Sequence, residues 1–251
     1  MKKILLYIFN FVSVFWRLIP SFIRINFLTA LFVLDSRGKD KSKSLKYLFF
    51  VKDRLDWVIN ERALSFGKGE HPKHKLINYH KFFLDNIKDG ENILDIGCGY
   101  GSVARSLAKN KPRCSILAID YDQNKLDQAL NYESIKNLTF KNIDATKSLP
   151  DGIWDVIVLS NVLEHIKSRN IFLKKIIKNS NCKKVLIRVP SFERSWEVQM
   201  RKNIGMYYFS DNDHKIEHTV VEFEEEMKKA NLEIKEMRCV WGEIWAVCKV
   251  N

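Results

Sequence analysis

Apolar and polar positions along residues 91–251 predict strands and helices in turn. Short apolar runs that end in a polar residue predict buried strands, whereas the segments between them carry apolar residues at helical spacing. Such alternation builds a parallel sheet with right-handed crossovers and helices on both faces. The predicted strands are 93–96, 115–119, 138–143, 154–159 and 184–189, and the helices between them are 102–109, 123–134 and 170–178.

The C-terminal segment follows a different pattern. A helix is predicted at 221–230, a strand at 232–240, a turn at Trp241-Gly242 and a final strand at 243–249. Two strands joined by so short a connection must be antiparallel. The predicted fold is therefore α/β: a Rossmann-like, seven-stranded mixed sheet whose last strand is antiparallel, with helices on both faces and an N-terminal helical extension.

The first predicted strand opens into three glycines at alternate positions, Gly97, Gly99 and Gly101. Glycine allows positive φ and lets a ligand approach the backbone without a Cβ in the way. The helix that follows offers unpaired N–H groups at its start. The next two strands end at Asp120 and Asp144, and ligands of open α/β sheets bind outside the carboxyl ends of the strands. The pattern predicts a ligand site at the glycine turn.

The first 90 residues predict helices alone. Residues 1–43 are expected to form an amphipathic helical arm and a linker, and residues 44–90 a helical cap or lid with Ser44 as its N-cap. The arm, kinked at Pro20, either lies in a membrane interface through residues 1–34 or packs on protein. A spanning helix is disfavoured because the apolar pieces fall short of the roughly 20 residues needed. The polar residues of the arm recur at helical spacing as one stripe: Asn10, Ser13, Arg17, Ser21 and Arg24.

Charge and cysteine content narrow the class of protein. The net charge is +12, and residues 1–90 carry 17 Lys/Arg against 8 Asp/Glu, whereas residues 91–251 carry 25 against 22. The basic excess of the N-terminal third suits anionic lipid, nucleic acid or an acidic substrate. The five cysteines form no C-x-x-C pair, so neither a zinc site nor a disulfide framework is indicated, and a reducing compartment fits best.

The run Leu94–Gly101, LDIGCGYG, resembles the first motif of the class I S-adenosyl-L-methionine-dependent methyltransferases, with the methyltransferase domain at residues 91–251. The segments Trp154–Ile157 and Asn161–His165 resemble the fourth motif of this family. The resemblance implies that the glycines and Asp95 hold the methionine part of the cofactor. It also implies that Asp120 accepts from the ribose hydroxyls and that Asp144 and Ala145 meet the adenine. The expected cofactor-binding residues are Asp95, Gly97, Gly99, Gly101, Asp120, Tyr121, Asp144, Ala145, Ser160 and Asn161.

A nicotinamide-dependent dehydrogenase also binds its cofactor at a glycine-rich turn, but its sequence motif is different. Its G-x-G-x-x-G motif would require glycine at position 102, where this chain has Ser102. The antiparallel finish of the sheet also departs from the dehydrogenase plan. The methyltransferase interpretation is therefore favoured.

Histidine is the expected general base for a hydroxyl acceptor, because its pKa lies near neutrality. His214 is the first candidate, since Asp213 or Glu217 is able to orient it, and His218 and His165 follow. The segment Asn161–His165 is similar to the E-x-x-E-H stretch of ubiquinone-biosynthesis O-methyltransferases, which is associated with a divalent metal. Asn161 replaces the first acid, and no metal is expected here. The expected substrate or lid residues are His71, His74, Tyr79, His80, Tyr207 and Tyr208.

The acceptor is indicated by resemblance alone. The stretch around His71, His74 and His80, together with the basic apolar arm, looks like methyltransferases of surface-glycan assembly. This implies O-methylation of a sugar or lipid-linked glycan by a cytoplasmic protein held peripherally on the inner membrane face. Alternatives are a quinone-like small-molecule O-methyltransferase, an RNA methyltransferase, or a non-catalytic partner protein that binds adenosylmethionine. A nucleic-acid partner is not expected because no RNA-binding module is recognisable, and the oligomeric state stays open.

Overall fold

The computed structural model describes residues 11–69 and 71–250, which form two compact units, one ending at His71 and the other beginning at Pro72. Residues 1–10 of the predicted arm lie outside the described residues. The helices of the first unit are α1 (Phe11–Leu18), α2 (Ser21–Ser36) and α3 (Lys41–Phe66).

The first unit differs from the predicted arm and from the predicted cap in one place each. Pro20 separates α1 from α2, and the two helices are bent by 106°, so their polar residues do not form one continuous stripe. The N-cap of α3 is Asp40 rather than Ser44, because the Asp40 carboxylate accepts from the Lys43 N–H at 3.0 Å one turn earlier. Among the described helices, none by itself is long and apolar enough to span a membrane, but the bent pair α1 and α2 together passes that test.

The second unit contains a seven-stranded sheet formed by β1 (Asn92–Ile96), β2 (Ser115–Asp120), β3 (Leu138–Asn142), β4 (Val156–Ser160), β5 (Lys184–Pro190), β6 (Leu232–Val240) and β7 (Glu243–Val250). The order across the sheet is β3-β2-β1-β4-β5-β7-β6. All pairs among β1 to β5 are parallel, and β7 pairs antiparallel with both β5 and β6. The predicted mixed sheet is thereby confirmed.

Helices lie between the strands, and two 3-10 turns follow β4 and β5. The predicted helix 123–134 ends early, at Leu130, and Asp122 caps its start by accepting from the N–H groups of Asn124 and Lys125. The elements are α4 (Lys73–Ile77), α5 (Tyr79–Asp85), α6 (Ser102–Asn110), α7 (Gln123–Leu130), α8 (Arg169–Ser180), α9 (Trp196–Asn203) and α10 (Val220–Lys229), with 3-10 turns at Leu163–His165 and Phe192–Arg194.

Both faces of the sheet are covered by apolar packing. Successive residues of the central strands alternate between two buried clusters: Leu94 and Ile157 belong to one, and Ile93 and Val156 to the other. A strand that is buried on both faces has a nearly continuous run of apolar residues. This is why β1, β2 and β4 contain few polar residues. Since β1 lies between the parallel strands β2 and β4, their carboxyl ends meet at one edge of the sheet. This edge is where the site residues lie.

Candidate active site

The glycine turn after β1 is held against β2. The N–H groups of Gly97 and Cys98 donate to the Ile119 carbonyl at 2.8 and 3.0 Å, and the three glycines have φ of 70, 54 and 76°. A Cβ at Gly97 would lie 2.8 Å from Val162, whereas a Cβ at Gly99 would meet nothing within 4 Å. Packing therefore requires Gly97, and the backbone at Gly99 faces open space that a ligand can enter.

We expect Gly97→Ala to lower the free energy of unfolding by about 2–4 kcal/mol, because the added methyl strains the backbone and collides with Val162. Gly99→Ala, the matched variant, should cost only about 1 kcal/mol, since strain in φ is its sole penalty. Urea denaturation monitored by circular dichroism measures both changes. Equal losses of stability in the two variants would contradict this interpretation of the turn.

Two cavities open at the carboxyl edge of the sheet. We call them the Asp95 cavity, of about 540 Å³, and the Asp120 cavity, of about 480 Å³. Gly97 and Asn161 line both, so the two cavities meet at the glycine turn. Of the predicted cofactor residues, the Asp95 cavity is lined by Asp95, Gly97, Ser160 and Asn161, and the Asp120 cavity by Gly97, Asp120, Tyr121, Asp144, Ala145 and Asn161.

Asp95 is a buried carboxyl without a partner on one oxygen. Its side chain is 1% exposed, and Oδ2 accepts no hydrogen bond from the described residues. Burial, reinforced by the charge of Asp120, raises its pKa to about 8, although the backbone of Ala104 acts in the opposite direction. An orphaned carboxyl of this kind favours a cationic ligand, whose charge would bring the pKa back down.

The two acids of the Asp120 cavity are held by local hydrogen bonds. Asp120 accepts from the Gly99 N–H at 2.8 Å through Oδ2 and from the Asp122 N–H at 2.9 Å through Oδ1. Each oxygen retains a further lone pair for a ligand. Asp144 accepts from the Thr146 hydroxyl at 2.6 Å, and this bond, with the ammonium of Lys147, lowers the pKa of Asp144. Both side chains therefore present carboxyl oxygens as hydrogen-bond acceptors at the cavity.

His214 lies in the wall of the Asp95 cavity with a carboxylate behind it. Its Nδ1 is 3.0 Å from Oε1 of Glu217, which is 2% exposed. Burial raises the pKa of Glu217, but hydrogen bonds from Ser210 and the charge of Arg194 outweigh this effect, and the net pKa is lowered. Glu217 is thus anionic, and it fixes Nδ1 of His214 as the donor nitrogen. Nε2 is left as the acceptor.

A second buried carboxyl, Glu164, faces the same cavity. Neither of its side-chain oxygens has a hydrogen-bond partner among the described residues, and burial raises its pKa to about 8. His165 lines the Asp120 cavity, pairs with Asp213 at 2.9 Å and packs edge-on against His214. Ligand atoms of Glu164, His165 and His214 lie within 4.8 Å of one another, as do those of Asp211, Asp213 and His214. Either set has the chemistry to hold a metal ion, so the absence of a metal stays a prediction.

His218, the last of the three candidate bases, lies away from the site. His218 lines neither cavity: its ring is fully buried, packs on Phe223 and lies 3.4 Å from Glu226. Its backbone bridges Ser191, which explains why the ring is buried in the core rather than placed at the cavity. The structure therefore does not bring His218 to the site with His214.

The predicted lid residues are distributed over several places. His74 and Tyr79 line the Asp95 cavity. His80 lies 3.2 Å from the hydroxyl of Ser102, which also lines that cavity. In the first unit, His71 contacts Asn60 at 3.0 Å. Tyr207 is half-exposed and donates its hydroxyl proton to the Asp211 carbonyl, whereas Tyr208 packs on Phe192 and lines neither of the two cavities.

Several residues that line the Asp95 cavity were not predicted from the sequence. Arg188 donates to both oxygens of Glu243 at 2.6 Å and stacks on Tyr79, and Arg194 pairs with Glu217. Trp241 at the β6–β7 turn lines the same cavity. An arginine inside the apolar strand 184–190 was a detectable signal, because a charge in a buried strand needs a partner. The identity of that partner was not detectable, since Glu243 is 55 residues away.

Comparison with known proteins places this site in a family. Residues 69–236, more than half of the chain, match the family described as Methyltransferase domain. The ubiquinone biosynthesis O-methyltransferase of Rickettsia bellii is 26% identical over 166 residues, covering 63% of this chain and 68% of that protein. The ribosomal protein L11 methyltransferase of Cupriavidus pinatubonensis is 32% identical over 103 residues, covering 41% of this chain and 33% of that protein.

Other likenesses are shorter or concern the fold. A probable (S)-tetrahydroprotoberberine N-methyltransferase of Papaver bracteatum is 29% identical over 93 residues, covering 36% of this chain and 26% of that protein, so the match spans about a quarter of this relative's length. A SAM dependent methyltransferase structure from Aquifex aeolicus has a TM-score of 0.57 at 16% identity, covering 72% of this chain and 94% of that chain. The magnesium protoporphyrin IX methyltransferase of Synechocystis, solved with bound SAH, has a TM-score of 0.54 at 15% identity, with 70% and 81% covered.

Proposed function

Because the chain belongs to the class I S-adenosyl-L-methionine-dependent methyltransferases, we propose that it O-methylates a sugar or a lipid-linked glycan at the cytoplasmic face of the membrane. The observation that carries the proposal is the pair of His214 and buried Glu217 in the Asp95 cavity. A hydroxyl acceptor needs a base for its proton, whereas an amine that is already neutral attacks with its free lone pair.

The residues present fit the cofactor. Oδ2 of Asp95 is an orphaned buried acceptor suited to an ammonium group, and the space beside Gly99 admits a ligand. Asp120 would hold the ribose hydroxyls, and Asp144 with Ala145 the adenine. When bound, S-adenosyl-L-methionine supplies a methyl group already activated by a sulfonium. Since Gly97 and Asn161 line both cavities, one ligand can occupy both, with its methionine end in the Asp95 cavity.

His214 then acts as the general base. Glu217 holds its Nδ1–H, so Nε2 is the atom that would take the proton from the acceptor hydroxyl, and the bound cofactor would supply the methyl group to the oxygen that loses it. The buried carboxylate stabilises the imidazolium that results. The low exposure of His214 and Glu217 keeps water away from the proton transfer.

The first unit supports a membrane location for the acceptor. In the described chain, no residue of α2 is buried, and apolar side chains such as Phe22, Ile25 and Leu34 face outward. Basic residues accompany them, with Arg17 on α1 and Arg24 on α2. Apolar side chains with interspersed cations suit the interface of an anionic leaflet.

We expect the full chain to float with vesicles of phosphatidylethanolamine and phosphatidylglycerol. Changing Phe22, Ile25 and Leu34 together to Asp should reduce the bound fraction at least about 10-fold, because apolar insertion is lost and anionic lipid is repelled. The matched control changes Leu130, Ile153 and Ile171 to Asp, since these apolar side chains of the second unit are also exposed. Equal flotation of both triple variants, or none for the wild type, would refute a membrane role of α2.

Transfer of a labelled methyl group into fractionated lipid, glycan and RNA pools tests the activity itself. Label is expected in a glycan or glycolipid fraction, and the methyl group should survive the mild alkali that cleaves methyl esters. Label confined to RNA or to a quinone-like lipid would replace the proposed acceptor. Cofactor binding without transfer to any pool would favour a non-catalytic partner protein.

A further inference from the structure

The turn between β6 and β7 carries a tryptophan where the backbone disfavours one. Trp241 and Gly242 have φ of 53 and 76°, and Val240 pairs with Glu243 across the turn. A two-residue turn with two positive φ values is ordinarily built from Asn-Gly or Asp-Gly. A bulky residue at positive φ is an outlier that persists where the surroundings hold it, most often at functional sites.

The surroundings do hold this turn. The Gly242 carbonyl accepts from the Ser191 N–H at 2.9 Å, and a Cβ at Gly242 would lie 2.7 Å from Cβ of Arg194. The turn is therefore packed against the segment after β5. The indole gains little from this packing, because Trp241 remains 68% exposed while lining the Asp95 cavity. Strain and exposure together indicate a side chain placed for a ligand.

The chemistry of the cavity identifies the class of ligand. Tyr100, also exposed, adds a further aromatic ring to the wall. Glu164 presents two carboxyl oxygens that have no partner among the described residues. The two arginines of the wall are already engaged, Arg188 by Glu243 and Arg194 by a buried carboxylate and the Tyr208 carbonyl. Aromatic faces with carboxyl acceptors that have no partner among the described residues suit a neutral ring that carries hydroxyl groups.

We propose that Trp241 is the stacking platform for the sugar ring that carries the accepting hydroxyl, and that Glu164 hydrogen-bonds another hydroxyl of the same ring. This inference rests on the proposed function and specifies how the acceptor is recognised. Trp241 is then a specificity residue, which binds the ring and takes no part in the proton transfer at His214.

Saturation-transfer difference NMR with the full chain and S-adenosylhomocysteine tests the platform. The probes are glucose, galactose, mannose, rhamnose and N-acetylglucosamine, with adenosine monophosphate as the phosphate-bearing comparison. We expect ring-proton signals from at least one sugar in the wild type and at least a 5-fold loss in Trp241→Asn. The control Trp196→Asn should keep them, since Trp196 is 70% exposed and lines neither cavity.

The melting temperature distinguishes a loss of sugar binding from a loss of folding. Asparagine prefers the left-handed turn, so Trp241→Asn should melt at the wild-type temperature or above while losing the sugar signal. Sugar signals retained in Trp241→Asn, or seen for adenosine monophosphate alone, would overturn the proposal, as would no signal from any sugar. If the wild type methylates RNA or a quinone-like lipid, the proposed function fails. If it methylates a glycan and Trp241→Asn does so with unchanged KM, only the platform fails.

Discussion

Replacing His214 by alanine will lower kcat by about 100- to 10,000-fold and leave cofactor affinity within a few-fold of the wild type. The imidazole is the group placed to accept the hydroxyl proton, and Glu217 at 3.0 Å holds it in the required tautomer. Asp95 and the glycine turn are untouched by the substitution, so cofactor binding should persist. Single-turnover methyl transfer measures the first quantity, and calorimetric titration with the cofactor measures the second.

Glu217→Gln tests the contribution of the carboxylate that contacts His214. An amide keeps the size of the side chain but removes the charge that stabilises the imidazolium, so kcat should fall about 10-fold while KM changes little. His214→Ala with near-normal kcat would exclude His214 as the base. Activity that disappears with a chelator and returns with a divalent ion would instead assign His214, with Glu164 and His165, to a metal site, since Nε2 cannot serve both purposes.

Replacing Asp95 by asparagine will weaken cofactor binding at least about 100-fold and, at alkaline pH, stabilise the cofactor-free protein. The first effect follows because an amide cannot neutralise an ammonium group in a buried site. The second follows because the buried Asp95 carboxyl has its pKa raised to about 8, which makes its ionised form unfavourable in the empty cavity.

The pH dependence of this effect has a definite sign. A carboxyl whose pKa is higher folded than unfolded stabilises the folded state fully below about pH 4, and this contribution is lost as pH rises towards 8. The free energy of unfolding of the wild type, measured relative to Asp95→Asn, should therefore fall between pH 4 and 8, by on the order of 3–5 kcal/mol. Urea titrations of both proteins at several pH values check this. A difference independent of pH would contradict the assignment.

Glu164→Gln is the matched control for Asp95→Asn. Glu164 is equally buried, and its pKa is also raised to about 8, so its replacement should change stability with pH in the same direction. It should not change cofactor affinity, because Glu164 is assigned to the acceptor. Cofactor binding by the wild type should also release protons below about pH 8, as Asp95 ionises beside the bound cation, and Asp95→Asn should release none by this route.

Local patterns in the sequence were sufficient for the elements that contiguous residues encode. The strand 93–96, the glycine turn and the helix from Ser102 follow from periodicity and from the conformational freedom of glycine, and the β6–β7 hairpin follows from the short connection. Boundaries were less accurate. α7 stops at Leu130, and α3 begins after Asp40, whose carboxylate caps the helix one turn before the predicted Ser44.

Tertiary structure decided which polar side chains meet. His214 and His218 lie in one loop, and nothing local distinguishes them, yet the backbone bridge from His218 to Ser191 buries one ring in the core and leaves the other at the cavity. Arg188 finds Glu243 only because β7 inserts beside β5. The sequence by itself determined the sheet, the glycine turn and the acids at its strand ends, since these depend on neighbouring residues. The folded chain alone decided the base, its carboxylate and the exposed Trp241, because these depend on loops distant in sequence that pack at one edge of the sheet.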